Sequence, residues 1–201
     1  MAETKNYRSA TGVDEFYYGV LATDDTNKIV GTEATRLKYL QEISADMPQE
    51  LVKAYGDNKI AEMAVSSGDI SVTSQFHTVP MEDKVILLGW EEQTGVFATG
   101  GDDNPPYVAV MFAKTYQDGS KQYVGLPKGM FSRPGVNGTT KSDNVEFSSE
   151  EMMAEFMDRK VDGFDGEKSV LFATDAKGET TNRDALYLKV FGVAHPDAPG
   201  V

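Results

Sequence analysis

Hydrophobic and polar residues alternate with a period of two over much of the first half of the chain. In the segment RLKYLQEISADMP, the alternation puts one set of residues on a single strand face: Leu37, Tyr39, Gln41, Ile43, Ala45 and Met47. In DISVTSQFH, it does the same for Ile70, Val72, Ser74 and Phe76. The pattern therefore predicts strands over residues 36–47 and 69–77.

The segment PMEDKVILLGW has a helical period instead. Met81, Val85 and Leu88 fall at positions i, i+4 and i+7, which form one stripe on a helix. Pro80 suits a first helical turn because its missing N–H costs nothing there, and Gly89 suits the residue that follows the helix. The chain therefore reads as mainly β, with one short helix at about residues 80–90.

Turn signals mark the other elements. Asp118-Gly119 predicts a hairpin between strands at 107–116 and 121–131. Gly56-Asp57-Asn58 indicates a turn that makes residues 51–58 a candidate hairpin tip. Further strands are predicted at residues 16–23, 59–65, 169–174 and 186–193. For residues 145–161 the local signals leave helix and strand open, because Ser148-Ser149-Glu150-Glu151 fits a helical capping box.

Composition limits the chemistry. The 201 residues fit one domain, which we divide into an N-terminal arm (1–13), a β domain (14–194) and a C-terminal tail (195–201). The chain has no cysteine, which excludes a disulfide framework, a thiolate nucleophile and a cysteine zinc site. It has no apolar run of about 20 residues and no apolar segment of a secretory signal. We therefore expect a cytoplasmic origin and no membrane insertion.

The charge is strongly acidic, with 32 acids, 19 bases and a net charge of −13. A DNA-binding protein normally presents a basic face, because neutralised phosphates supply most of its non-specific affinity. Two interpretations remain open: a solvated acidic surface that aids solubility, or a surface that must not bind a polyanion passing close by.

Catalytic and ligand-binding motifs are weak. The loop GVNGTTKS has Thr140 where a phosphate loop needs the glycine before lysine. The acidic turns at 24–27 and 102–104 lack the spacing of an EF-hand calcium loop. His77 and His195 have no partner at a recognisable spacing, so both are interpreted as ordinary surface or edge histidines. We predict no enzyme, no cofactor and no catalytic, cofactor-binding or metal-binding residues.

Several blocks of the sequence resemble the major tail proteins (tail tube proteins) of long-tailed bacteriophages, in particular the phi13-type subfamily. The resemblance covers roughly residues 16–166, and its specificity comes from the order and coverage of the blocks. They are FYYGVLATDD, LKYLQEIS, MPQE, AYGDN, AVSSG, PMEDKVILLGWE, PPYVAVMFAKTYQDGSKQYVGLPKGMF and VEFSSEEMMAEFMDRKVDG.

The resemblance implies a β-sandwich or partly open barrel with a flanking helix, whose sheets join across six subunits into a ring. The rings would stack into a tube that conducts phage DNA without binding it specifically. Expected partners are the chain itself and the tape-measure, tail-tip and tail-terminator proteins, in a virion assembled in the bacterial host cytoplasm. The resemblance also favours a strand at 145–161, with Phe147, Met152, Ala154 and Phe156 divided between its faces.

Within that interpretation, the channel would be lined by strands between residues 36 and 76. The candidate lumen-facing acids are Glu42, Asp46, Glu62 and Asp69. Ring-to-ring contacts are expected at residues 1–13, in the tail and in a candidate stacking loop that contains Pro48, Gln49, Tyr55, Gly56, Asp57 and Asn58.

Two alternatives belong to other classes of protein. A monomeric acidic β-sandwich that binds or adheres would explain the strands, glycines and charge, with Trp90 as its single tryptophan platform. A hydrolase with paired carboxylates is the second alternative, although no pair among the 32 acids stands out. Self-assembly would distinguish a tube protein from both alternatives.

Overall fold

The computed structural model describes residues 9–22, 28–136, 138 and 148–198. In chain order its strands are β1 (Ala10–Val20), β2 (Thr35–Leu37), β3 (Leu40–Asp46), β4 (Gln49–Gly56), β5 (Lys59–Ser67), β6 (Ile70–Phe76), β7 (Glu91–Gln93), β8 (Val96–Ala98), β9 (Val108–Tyr116), β10 (Lys121–Ser132), β11 (Glu150–Phe156), β12 (Arg159–Lys160), β13 (Glu167–Lys168) and β14 (Leu171–Asp175). Helix α1 (Met81–Leu88) follows β6, and helix α2 (Thr181–Phe191) follows β14. The mainly β prediction is confirmed.

One antiparallel sheet has the strand order β2-β1-β9-β10-β11-β6-β3, and β14 pairs with the first half of β10. The end strands β2 and β3 form no ladder with each other in the described residues, yet only Lys38 and Tyr39 separate them in the chain. Laid flat, six strand spacings of about 4.8 Å would hold the sheet ends about 29 Å apart. Three residue steps from Leu37 to Leu40 span at most about 11 Å. The sheet must therefore curve until its ends come close, which agrees with the predicted sandwich or open barrel.

The middle of the curved sheet is buried on both faces. On β9, Val108, Val110 and Phe112 belong to a core that residues from nearly every strand of the sheet share, so this core fills the concave side. The alternate residues of β9 lie in a second core beneath α2: Ala109, Met111 and Ala113. An uninterrupted apolar run such as VAVMFA is typical of a strand covered on both faces.

Helix α1 matches its prediction. It begins after Pro80 and ends before Gly89, whose φ of 66° places it in the left-handed region that favours glycine. Leu87 and Leu88 are fully buried in the concave core, while Met81 and Val85 are only partly buried. The predicted stripe is therefore right at Leu88 and omits Leu87.

The predicted strand at 186–193 is wrong, because residues 186–191 belong to α2. The buried residues Leu186, Tyr187, Val190 and Phe191 follow a helical spacing. At the beginning of the helix, Asp175 of β14 accepts hydrogen bonds from the N–H groups of Asn182 and Arg183, at 3.1 and 2.8 Å. At its end, Arg159 donates through Nη2 to the carbonyl oxygens of Lys189 and Val190. The second helix of the fold was not predicted.

The predicted continuous strand at 36–47 is interrupted. Tyr39 has a φ of 64° and divides it into β2 and β3, and a register shift follows between Leu40 and Glu42. Leu37 is buried and Ile43 and Ala45 are partly buried, but Tyr39, Gln41 and Met47, which were predicted to share their face, are exposed. Two single-residue irregularities thus break the period that the sequence displays. The prediction for β6 is confirmed, since Ile70, Val72, Ser74 and Phe76 are all buried.

Within residues 145–161, the segment Glu150–Phe156 is the strand β11. Its burial corrects the predicted division between faces, because Met152, Ala154 and Phe156 all point into the concave core. Phe147 lies outside the described residues, as do the turn at 24–27 and most of the loop GVNGTTKS.

Parts of both predicted terminal segments belong to the folded body. Residues 10–13 form the beginning of β1 and pair with β9, and residues 1–8 lie outside the described residues. His195 is 1% exposed and contacts the rings of Tyr17 and Tyr187, so its interpretation as a surface histidine is wrong. His77 is exposed, as predicted. Residues 199–201 lie outside the described residues, and the arm and tail as separate segments stay predictions.

Candidate assembly surfaces

The outer face of β3, β6 and β11 is a polar surface with acids along both sides. Inward residues alternate with outward ones on all three strands, and the register puts the outward residues in three rows. The rows are Glu42–Gln75–Glu151, Ser44–Thr73–Met153 and Asp46–Ser71–Glu155. Four of these nine residues are acids and none is a base. We call this surface the acidic sheet face.

The structure brings two of the four candidate lumen acids together. Glu42 and Asp46 lie on the acidic sheet face, four residues apart on β3. Glu62 lies on β5 in a separate two-stranded sheet, and Asp69 lines a cleft of about 610 Å³ at the base of that sheet. Glu151 and Glu155 were not predicted, because the ambiguous period of residues 145–161 concealed which residues of β11 point outward.

Strands β4 and β5 form a hairpin in which every residue is exposed. We call residues 49–67 the projecting hairpin. Asp57 and Asn58 make its turn with φ values of 49° and 61°, the paired positive angles of a tight hairpin turn. At its base, the N–H of Gly68 donates to the carbonyl oxygen of Pro48 at 3.0 Å. Two strands of eight and nine residues extend about 25 Å.

The candidate stacking loop is thus one strand and the tip of this hairpin. Gln49, Tyr55 and Gly56 belong to β4, Asp57 and Asn58 to the turn, and Pro48 to the base. The strand at 59–65 was predicted, but the candidate stacking loop left it out, together with most of the exposed apolar residues of the hairpin. They are Leu51, Val52, Ile60, Met63 and Val65. The turn signal was present, since Gly56-Asp57-Asn58 stands between the two segments.

The hairpin and α1 lie at opposite ends of β6. The hairpin leads into Ile70, where β6 begins, and α1 follows Phe76, where it ends. Seven residues of strand separate these ends by about 20 Å. Among the described residues, the long projecting hairpin lies at the end of β6 opposite α1, which gives the molecule a direction.

A second cleft, of about 430 Å³, lies at the α1 end and includes Trp90. Two ion pairs lie at this cleft: Lys84 Nζ is 2.9 Å from Glu150 Oε2, and Arg133 Nη2 is 3.1 Å from Asp103 Oδ2. Burial opposes ionisation of Glu150, but hydrogen bonds from Lys84 and the Val79 N–H lower its pKa. A hydrogen bond from Thr99, with others from Gly100 and Arg133, lowers the pKa of Asp103. These pairs fix the loops around the cleft.

Among the residues that the structure describes, no group of three or more His, Asp or Glu side chains could hold a metal ion. Neither helix in the described part of the chain is long and apolar enough to cross a bilayer.

Comparison with known proteins gives one family. A family model described as phage tail tube protein matches residues 12–198, more than nine-tenths of the chain. No curated protein matches the chain.

Proposed function

Because this chain belongs to the phage tail tube protein family, we propose that six copies form a ring and that the rings stack into a hollow tube through which phage DNA is ejected. Membership itself gives the chain a structural role in the tail of the virion and implies self-assembly into a tube. The ring size, the stacking and the passage of DNA are our proposal.

The observation that carries the proposal is the acidic sheet face. Its outward rows bear Glu42, Asp46, Glu151 and Glu155 around the polar residues of β6, and both helices pack elsewhere on the sheet. A channel wall of this kind repels phosphates, and none of its nine outward residues is a base that could bind them with release of counterions. The Debye length at physiological salt is about 8 Å, so acids act on DNA only where they line the channel. We propose that this face lines it, with Glu62 and Asp69 as further candidates.

The projecting hairpin supports the stacking. A heterologous contact between unlike surfaces propagates as a filament when it does not close. The hairpin, with Pro48, Gln49, Tyr55, Gly56, Asp57 and Asn58, would reach from one ring to the next. Residues 1–13 and the C-terminal tail are additional candidates for this contact.

The remaining partners follow from the same proposal. A tail tube of a long-tailed phage surrounds a tape-measure protein and ends at tip and terminator proteins, so these are the expected neighbours. We expect synthesis in the host cytoplasm and membership of the phi13-type subfamily.

Negative-stain electron microscopy of the purified, concentrated chain, together with light scattering, tests the proposal. We expect rings or hollow tubes, formed by the chain alone or after addition of tail-tip components. A chain that stays a compact monomer in both conditions would overturn the proposal and favour the monomeric binding module.

A further inference from the structure

We infer that the two faces of the projecting hairpin have different roles: one is the contact surface for a second copy of this chain, and the other faces solvent. The inference rests on the proposed stacking and assigns the residues that mediate it.

The register separates the side chains of the hairpin into two sets. Directly opposed residues of antiparallel strands share a face, and neighbours along a strand alternate. The pairs Leu51–Val65, Lys53–Met63 and Tyr55–Ile60 therefore lie on one face. The pairs Glu50–Ser66, Val52–Ala64 and Ala54–Glu62 lie on the other. The register shift at Ala54 and Tyr55 leaves Ala61 unpaired and keeps Ile60 with Tyr55 on the first face.

The first face is apolar and unburied. Five of its residues are large and hydrophobic, and each is about half to three-quarters exposed: Leu51, Tyr55, Ile60, Met63 and Val65. Monomeric proteins rarely leave a contiguous apolar patch of this kind in water unless it is a binding surface. A two-stranded hairpin on its own is also marginally stable in water. Both facts indicate that this face is covered in the working form of the protein.

Charge identifies a second copy as the partner. The first face carries a single charged residue, Lys53, and no acid, whereas the second face carries Glu50 and Glu62, with Lys59 beside the turn. Copies of a chain with a net charge of −13 repel each other. An acid-free apolar face with one lysine is therefore the part of the hairpin that complements another acidic copy. The face with Glu50 and Glu62 would remain in water.

Neighbouring residues on opposite faces provide matched variants. Met63→Gln and Leu51→Gln add a polar amide to the apolar face, while Glu62→Gln and Glu50→Gln add the same amide one position away on the other face. All four sites are exposed in the isolated chain, so equal thermal unfolding of the monomers serves as the check that each variant folds. The readout is the protein concentration at which tubes form, from light scattering and negative-stain microscopy.

We expect Met63→Gln and Leu51→Gln each to raise that concentration at least about tenfold, because each loses the burial of a large apolar side chain. Glu62→Gln and Glu50→Gln should leave it within about twofold. If all four variants assemble like the wild type, or if the glutamate variants are the impaired pair, the face assignment is wrong and the proposed tube stands. If the wild type stays monomeric even with tail-tip components, both proposals fail.

Discussion

Gly125 of β10 leaves α2 room to approach the sheet. A Cβ at this position would overlap the Cγ2 methyl of Val190 and lie 3.3 Å from Leu186 Cδ1. The sequence shows a glycine inside a predicted strand but not the helix that lies over it, because residues 186–193 themselves read as a strand. Contacts between residues about 60 positions apart have no local signature in either segment.

Gly125→Ala should lower the free energy of unfolding by about 1–3 kcal/mol, the usual cost of overpacking a close contact. Gly101→Ala is the control, since a Cβ there meets nothing within 4 Å. Urea denaturation of both variants gives the comparison. Equal stability of the two would contradict the close packing of α2 against β10.

His195 illustrates a residue whose role only the fold reveals. Its ring packs edge-on against Tyr17 and Tyr187, and its Nδ1 accepts a hydrogen bond from the Asp197 N–H at 3.0 Å. Burial, and then the positive charge of Arg183, lower the pKa of His195 below its ordinary value. The unfolded chain therefore binds a proton here before the folded chain does.

This difference predicts the direction of one pH effect. As pH falls through the ordinary histidine value of about 6.5, the unfolded state takes up the proton first, so stability falls. His195→Phe keeps an aromatic ring and removes the titration, so its unfolding free energy should decline less between pH 7 and pH 5 than that of the wild type. Parallel curves for the wild type and His195→Phe would refute the assignment.

Among the elements, the sequence predicted those in which the hydrophobic period and the residues at the ends indicate the same structure. Helix α1 has both a stripe and a terminal glycine, and β9 and β10 flank Asp118-Gly119. Helix α2 was missed because its beginning is capped from outside: Thr180 makes no side-chain capping bond, and Asp175 supplies it from β14. A capping residue on another element cannot be found from the spacing around the helix.

Asp175→Ala should therefore destabilise the fold by about 0.5–2 kcal/mol, as the loss of an N-terminal cap does. Thr180→Ala changes the residue that occupies the ordinary capping position and should alter stability by less than about 0.5 kcal/mol. Thermal unfolding monitored by circular dichroism measures both. A larger loss of stability for Thr180→Ala than for Asp175→Ala would mean that Thr180, and not Asp175, caps the helix.

At the scale of the whole molecule, the sequence predicted the fold class, and the candidate lumen acids Glu42 and Asp46 share one sheet face in the structure. It did not predict that Glu151 and Glu155 join them across β6, about 80 residues away in the chain from their β6 partners. Strand order is set by long-range pairing, and a single sequence displays only the period of each strand. The sequence therefore indicated two of the four acids of the acidic sheet face.

Reversing charge on this face tests its position in the tube. Tubes of Glu42→Lys/Asp46→Lys should retain short double-stranded DNA at low salt and release it as salt rises, because lysines bind phosphates with release of counterions. Glu91→Lys/Glu92→Lys makes the same change in net charge on the exposed strand β7. Cosedimentation of DNA with open tubes and with tubes capped at their ends distinguishes the channel from the outer surface, because only open tubes admit DNA to the channel. Equal retention by both variants would place the acidic sheet face outside the channel.

The pairing of β1 with β9 also constrains how the chain folds during synthesis. Ala10–Val20 leaves the ribosome before its partner Val108–Tyr116, which follows nearly 100 residues later. At about 5–20 residues per second, β1 waits about 5–20 s for that partner. The projecting hairpin closes within one local turn and can form during the delay. The apolar face of the hairpin would then be exposed on nascent chains before the rest of the fold can orient it. The rate of translation and the access of chaperones would therefore affect how reliably tail subunits are produced.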